Sequence, residues 1–360
     1  MKRAIITAAS THRIVFLDYL RIFAFVTVLI GHTFYLSLVN LAQDPTAHST
    51  ARLIANLCLP FVYGGGAGVV VFFLVSGYII TQVLQTEQTV EFLVKRAFRI
   101  YPLYMLAVIV QYALLAIAGQ APNLQILLPQ LLLVGDFFGT PYTLNGVEWT
   151  LRLEIVFYVF MSLARSLNLT TGASKVLPYL LVATTIACGI LAPIPSADIW
   201  SKGYVTIYGP FLLLGSMFYL FERRKIGAVF LSLFTVLIFL QYFKLIAAYQ
   251  KMWLDAHFAA LALLIFFVCW AARSRISAAP QWVLLLSNMT YAVYLFHNWF
   301  FDYTKKLFAH FSVAIVHPDV QALAVLLMVC FFLAKYVEKP AIFLGRVLLV
   351  RLRISQGFRR

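Results

Sequence analysis

The sequence predicts an all-α polytopic membrane protein, a bundle of about ten transmembrane helices with both termini cytoplasmic. Three observations carry this. Of the 360 residues, 62% are hydrophobic and only 11% charged. The mean hydropathy is +0.89. Apolar segments of roughly 20 residues recur along the whole length. A water-soluble globule has neither that composition nor that pattern. No soluble catalytic domain is expected before, between or after the segments, so any chemistry belongs to the bundle. The formal net charge of +15 is gathered in short basic clusters between apolar segments and at both ends. That is the positive-inside pattern, and it favours anionic lipid or an anionic cytoplasmic ligand over nucleic acid.

Hydropathy sets spans near residues 15–38, 61–85, 100–119, 147–167, 176–192, 203–221, 226–244, 256–272, 281–301 and 319–337. The first follows Lys2, Arg3 and Arg13 like a signal peptide. It is too long for one, contains Asp18 and Arg21, and lacks a convincing cleavage site, so a retained helix is expected. Leu124 to Phe138 is short and interrupted by Pro129, which suits a re-entrant or interfacial segment near 124–138.

Parity supports that choice. Basic clusters at the N-terminus, Lys95-Arg96-Arg99, Arg223-Arg224-Lys225, Arg273-Arg275 and Arg346 to Arg360 are all expected inside. Between the second and third the chain must cross an even number of times, which excludes counting 124–138 as a span. Lys251, Lys305 and Lys306 then fall in outer loops, which the rule tolerates as a bias. Residues 1–340 form the expected transmembrane domain. Residues 341–360 form a basic amphipathic cytoplasmic tail, whose arginines alternate with Val, Leu, Ile and Phe along the inner membrane surface. Cys58, Cys188, Cys269 and Cys330 are scattered without a CxxC or Cys/His cluster, so no metal site is expected. No internal repeat is evident, which weakens an inverted-repeat transporter.

The first span carries Asp18, Arg21 and His32. At about 100° per residue Arg21 and His32 fall within roughly 20° of each other, and Asp18 about 40° from His32. One helix face bears all three, with Arg21 and His32 separated by roughly 16 Å along the axis, half a bilayer core. Charges in the membrane are costly and mark functional candidates. The bland readings are a hydrogen-bonded buried histidine for His32 and an i,i+3 ion pair for Asp18 and Arg21.

In the second span Gly64-Gly65-Gly66-Ala67-Gly68 reads as close helix packing, and Ser76 as a helix–helix hydrogen bond rather than a nucleophile. Arg96 and Arg99 stand at the inner mouth of the third span, near a helix N-terminus, and suit a phosphate group; the alternative is a lipid-headgroup anchor. The fourth span opens Glu148-Trp149-Thr150-Leu151-Arg152-Leu153-Glu154. Glu148 and Arg152 have pairing spacing. Glu154 lies deeper and needs a partner from another helix, for which His32 is the candidate. In the ninth span Tyr291, Tyr294 and His297 run outward, and His297 alone reads as an interfacial residue in an aromatic belt with Trp299 and Phe300.

Together these stretches resemble the acyltransferase-3 family of integral membrane acyltransferases. The matching pieces are Leu17-Asp18-x-x-Arg21 with His32 following, Phe72-Phe73-Leu74-Val75-Ser76-Gly77-Tyr78 and Arg96-x-x-Arg99-x-Tyr101-Pro102. Trp149-Thr150-Leu151-x-x-Glu154 with Phe157-Tyr158, and Tyr291-x-x-Tyr294-Leu295-x-His297, complete the set in chain order. The sequence departs from the family's pattern at Ile155, Ile22 and Thr290, where a glutamate, a glycine and a serine are common in relatives. The chain has no segment matching the soluble hydrolase-like domain that some relatives carry after the bundle, so a stand-alone enzyme is expected.

The resemblance implies a multi-pass protein of the bacterial cytoplasmic (inner) membrane that moves an acyl group from acyl-CoA, acetyl-CoA above all, to a hydroxyl. No metal is implied. Arg96, Arg99, Tyr101 and Arg21 would bind the donor, and His32 would act as general base or as an acyl-carrying nucleophile. Glu154 would orient its imidazole, with Asp18, Ser76, Trp149, Tyr291, Tyr294 and His297 in support. The expected acceptor is an envelope or exported polysaccharide, with a lipid or small natural product as the alternative. A transporter or flippase using the same intramembrane charges is the rival from another class.

Overall fold

The structure, a computed structural model, describes residues 13–120, 124–135, 139–140, 143–171, 174–196, 202–254, 257–313 and 316–357. Lys2 and Arg3 of the expected N-terminal cluster, Phe138 at the end of the interfacial stretch, and Arg359 and Arg360 lie outside the described residues. Among the described residues all regular structure is helical.

Helix α1 (Val15–Thr33) is followed after Phe34 by α2 (Tyr35–Gln43), which packs against α3 (Ser49–Val62) as a hairpin. That hairpin occupies the stretch between the first two expected spans. A turn at Tyr63–Gly65 joins α3 to α4 (Gly66–Val83). Gly64 and Gly65 have φ of +55° and +68° there, a conformation that costs a residue with a Cβ.

Helix α5 (Thr89–Ile117) begins well before residue 100. Lys95, flanked by Glu87 at 2.6 Å and Glu91 at 2.8 Å, is neutralised within its first turns. Arg96 and Arg99 therefore sit inside the helix and not at its N-terminus, which removes the helix-dipole part of the phosphate argument. Helix α6 (Leu124–Leu131) has 8 residues, about 12 Å, and is too short to cross a bilayer.

The chain continues through α7 (Glu148–Ser166), α8 (Leu177–Ile190), α9 (Tyr204–Glu222), α10 (Ala228–Tyr249) and α11 (Phe258–Ala271). Helix α12 (Gln281–Phe296) ends where a single span to residue 301 was expected. The chain turns at His297 and Asn298 before α13 (Trp299–His310). Helix α14 (Pro318–Leu333) passes through a π-turn at Ala334–Glu338 into α15 (Lys339–Gly357), which packs on α5 where Gly345 meets Phe98.

Among the described residues six helical stretches are long and apolar enough to cross a membrane: Val15–Thr33, Ser49–Val83, Thr89–Ile117, Tyr204–Glu222, Ala228–Tyr249 and Pro318–Leu352. Helices α8 and α11 are apolar but shorter. Helix α7 is long enough but carries Glu148, Arg152 and Glu154, which are 0%, 2% and 7% exposed. Its charges face the interior, so hydropathy undervalues it.

Helix α4 is the hub, packing against α1, α9 and α11. A Cβ on Gly77 would lie 1.9 Å from the Leu212 carbonyl oxygen of α9, and one on Gly215 would lie 2.1 Å from that of Leu74. A Cβ on Gly68 would lie 2.3 Å from the Ala24 oxygen of α1. Small residues thus bring three backbones together, the packing read from the sequence for this helix.

Candidate active site

Asp18, only 1% exposed, accepts hydrogen bonds from Arg13 Nε at 2.7 Å, Arg13 Nη2 at 2.8 Å and Ser287 Oγ at 2.6 Å. Arg21 is farther, at 3.7 Å. A buried carboxylate so compensated ties the start of α1 to α12, and Asp18 is an anchor more than an i,i+3 partner. Arg21 lines a cavity between α1, α4, α5, α7 and α12.

Arg96 and Arg99 line the same cavity. Among the described residues neither guanidinium has a hydrogen-bond or salt-bridge partner, and Arg96 Nε is buried without one. Arg96 rests over the Phe92 ring, 5.2 Å from its centroid. Tyr101, expected beside these arginines, lies outside the cavity and donates to the Leu132 carbonyl at 3.4 Å.

Glu154 and Ser76 also line this cavity. Ser76 Oγ donates to Glu154 Oε1 at 2.8 Å, the interhelical hydrogen bond read from the sequence, and the Tyr158 hydroxyl donates to the same oxygen. Glu154 is thereby engaged on the arginine side. The expected Glu154–His32 partnership is replaced by another.

His32 pairs with His297: Nδ1 of the first and Nε2 of the second are 2.8 Å apart, with the rings stacked at 5.0 Å and 18°. His297 Nδ1 is 2.7 Å from the Tyr294 carbonyl. A carbonyl only accepts, and backbone stands at both outer nitrogens of the pair, Tyr294 at His297 and Gly64 at His32, so the direction of the His32–His297 bond follows the tautomer. His32 Nε2 is within hydrogen-bond reach of the Gly64 backbone. It faces the glycine turn, where a Cβ on Gly65 would come within 3.5 Å of it. His297 is 1% exposed, a buried residue and not the interfacial one expected of it, whereas His32 remains exposed. His297 caps α12 with helical backbone angles, its N–H bonded to the Val293 carbonyl at 2.8 Å, and the chain turns away after it at Asn298.

His32 lines a second cavity. Val28, Val69 and Tyr294 belong to both cavities and separate them. Tyr294 donates to the Val147 carbonyl at 3.0 Å and also bonds Thr150 Oγ1, while Tyr291, in the first cavity, donates to the Ile100 carbonyl at 2.7 Å. Trp149 lines the second cavity, its ring 5.2 Å from Tyr208 and 5.9 Å from Phe73.

Sequence reasoning missed the histidine pair and most of the second cavity, including Tyr208, Gln250 and Trp253. The signal for the pair was present in the shared outer depth of His32 and His297. The signal for the cavity wall was the polar turn at Gln250-Lys251 between two apolar spans. Among the described residues no group of His, Cys, Asp or Glu is arranged to hold a metal.

The exopolysaccharide production protein ExoZ of Rhizobium meliloti (strain 1021) is 38% identical to this chain over 104 residues, which is 26% of this chain and 32% of that protein. The match therefore spans about a third of the curated relative. No solved structure matches. The family model described as an acyltransferase domain, acyltransferase-3, matches residues 14–337. With nearly the whole bundle inside that match, the chain belongs to the acyltransferase-3 family.

Proposed function

We propose that this protein is a membrane-embedded O-acyltransferase that moves an acyl group, acetyl first, from cytoplasmic acyl-CoA to a hydroxyl of an envelope or exported polysaccharide. The observation that carries the reading is the pair of cavities meeting at Tyr294, one with unpartnered arginines and the other with one imidazole of a histidine pair. Arg96 and Arg99 suit the donor's phosphates, since unpaired guanidinium forks recognise such oxygens strongly. The apolar stretch of that cavity, with Val75, Ile79 and Ile80, suits the thioester arm. Arg21 adds charge on the same wall, and Glu154 orders Ser76 and Tyr158 there.

At the junction the thioester carbonyl meets the acceptor. His32 Nε2 takes the proton of the acceptor hydroxyl, the oxygen forms the ester bond, the carbon–sulfur bond breaks, and the proton passes to the leaving thiolate. His297, held by the Tyr294 carbonyl, keeps His32 in the tautomer this step needs. This role replaces the one first given to Glu154. General-base assistance of this kind supplies roughly 10²- to 10⁴-fold.

For topology, α7, α8, α11 and α12 add four crossings to the six long apolar stretches, making ten. The basic clusters then lie on the cytoplasmic side of a bacterial inner membrane, as do both termini and the tail from 341 to 360. The polysaccharide acceptor draws support from the partial likeness to a protein named for exopolysaccharide production.

The test is transfer from labelled acetyl-CoA by purified protein. His32→Ala is expected to lose transfer while still binding the donor. Arg96→Ala/Arg99→Ala is expected to raise the donor KM more than it lowers kcat. Wild-type transfer by His32→Ala would remove the assignment, and an unchanged donor KM in the arginine variant would make that pair a lipid anchor.

A further inference from the structure

The second cavity is chemically unlike the first. Among the described residues its wall holds six aromatic rings, Trp149, Tyr204, Tyr208, Trp253, Phe258 and Tyr294, and three amide side chains, Asn145, Gln250 and Asn298, with His32 as its one imidazole. No Asp, Glu, Lys or Arg among the described residues lines it. Among the described residues neither indole Nε1 has a hydrogen-bond partner, nor has the side-chain amide of Asn145. Asn298 spends its Nδ2 on the Asn145 carbonyl at 3.3 Å and leaves Oδ1 without a partner. Gln250 is held in place instead, accepting from the Tyr208 hydroxyl at 3.2 Å and donating to the Lys202 carbonyl at 2.9 Å.

The aromatic wall is preformed. The Trp253 ring lies edge-to-face with Tyr63 at 5.5 Å and Phe258 at 6.0 Å. A Cβ on Gly64 would come 2.4 Å from Trp253 Cη2, so only a glycine at that turn lets the indole seat itself.

We infer that this cavity is the acceptor subsite and that it takes an uncharged sugar ring. The inference rests on the transferase reading above and deepens it on the acceptor side. A sugar ring offers an apolar face of C–H groups and an edge of hydroxyls that both donate and accept. Flat aromatic faces match the first, and unpartnered indole N–H and amide groups match the second. A lipid chain would leave those polar groups unpaired at a cost. An anionic sugar would find no cation among the described residues of the wall, unlike the phosphates of the donor in the first cavity. The ring's hydroxyl edge then meets His32 Nε2.

The experiment uses purified full-length protein, labelled acetyl-CoA and three acceptors. These are the neutral polysaccharide isolated from source cells lacking the gene, a uronate-rich anionic polysaccharide, and phosphatidylglycerol vesicles, whose headgroups carry free hydroxyls. The neutral polysaccharide is expected to be preferred. Trp253→Ala is expected to raise the acceptor KM about tenfold with the donor KM unchanged. Trp253→Phe, which keeps an aromatic face, should recover most of that loss, and Asn298→Ala should raise the acceptor KM on its own.

An unchanged acceptor KM in both Trp253→Ala and Asn298→Ala overturns the sugar subsite and leaves the transferase reading standing. Preferred transfer to the anionic glycan or to the vesicles does the same. A second measurement covers failure of Trp253→Ala to fold: titration of wild-type tryptophan fluorescence with the neutral polysaccharide and no donor. Saturable quenching supports the subsite and its absence overturns it. Wild-type protein that acylates none of the three contradicts the transferase reading instead, and the titration still decides the sugar site.

Discussion

A neutral imidazole has two tautomers of similar energy, and only one leaves Nε2 of His32 ready to take a proton. In the proposed step the bond from His297 to the Tyr294 carbonyl favours that tautomer over the one the Gly64 backbone would hold. The selection is a property of the pair, which gives His297→Ala a distinct signature. It should lower kcat by roughly tenfold to hundredfold, less than the His32 substitution, with the donor KM unchanged and the pH–rate profile displaced. His297→Gln, whose side-chain oxygen can accept from His32 Nδ1, should recover part of the rate. Equal kcat in His297→Ala and wild type would show that the second ring has no part in orienting the first. Asp18 was drawn from the same sequence stripe, yet its three short hydrogen bonds make it an anchor between the chain before α1 and α12. Residue type and spacing marked both residues, and only their neighbours separate their roles.

Helix α4 shows how an element positions these residues. Ser76 reaches Glu154 on α7 while Gly77, next to it, lets α4 touch the backbone of α9. Ser216 Oγ on α9 also donates to the Gly77 carbonyl at 3.3 Å. Gly77→Ala would put a methyl 1.9 Å from the Leu212 oxygen, and backbone cannot move aside like a side-chain tip. We expect a loss of about 1–3 kcal/mol, the usual cost of overpacking, read as a lower Tm in detergent. An unchanged Tm would mean that the two helices are not in backbone contact. Glycines that look interchangeable in sequence therefore differ in task. Gly68 and Gly77 allow close packing, while Gly64 and Gly65 make a turn that carries one wall of the second cavity.

At the scale of the whole molecule, the proposed crossings make opposite faces of opposite character. Single cysteines in a cysteine-free background test this with a membrane-impermeant maleimide in intact cells. Thr46→Cys, in the exposed turn between α2 and α3, should be labelled, and Thr86→Cys, in the exposed turn between α4 and α5, should be protected. The reverse pattern would invert the proposed direction of transfer. Much of the architecture was legible without coordinates: the helical class, most of the long apolar segments, and the non-spanning nature of the short stretch after residue 124. Those follow from composition and local hydropathy, which each segment carries alone. The start of α5 before residue 100 and the turn that ends α12 at His297 were not legible, because capping and packing decide where an apolar helix stops. The sequence by itself determined the family, the membrane-bundle class and the identities of the polar residues placed at cost within it. Only the tertiary structure decided that His32 pairs with His297 and not with Glu154, and that the arginines and the imidazole line separate cavities meeting at Tyr294. Both depend on which helix faces which, and that is set by interhelical packing between residues hundreds of positions apart.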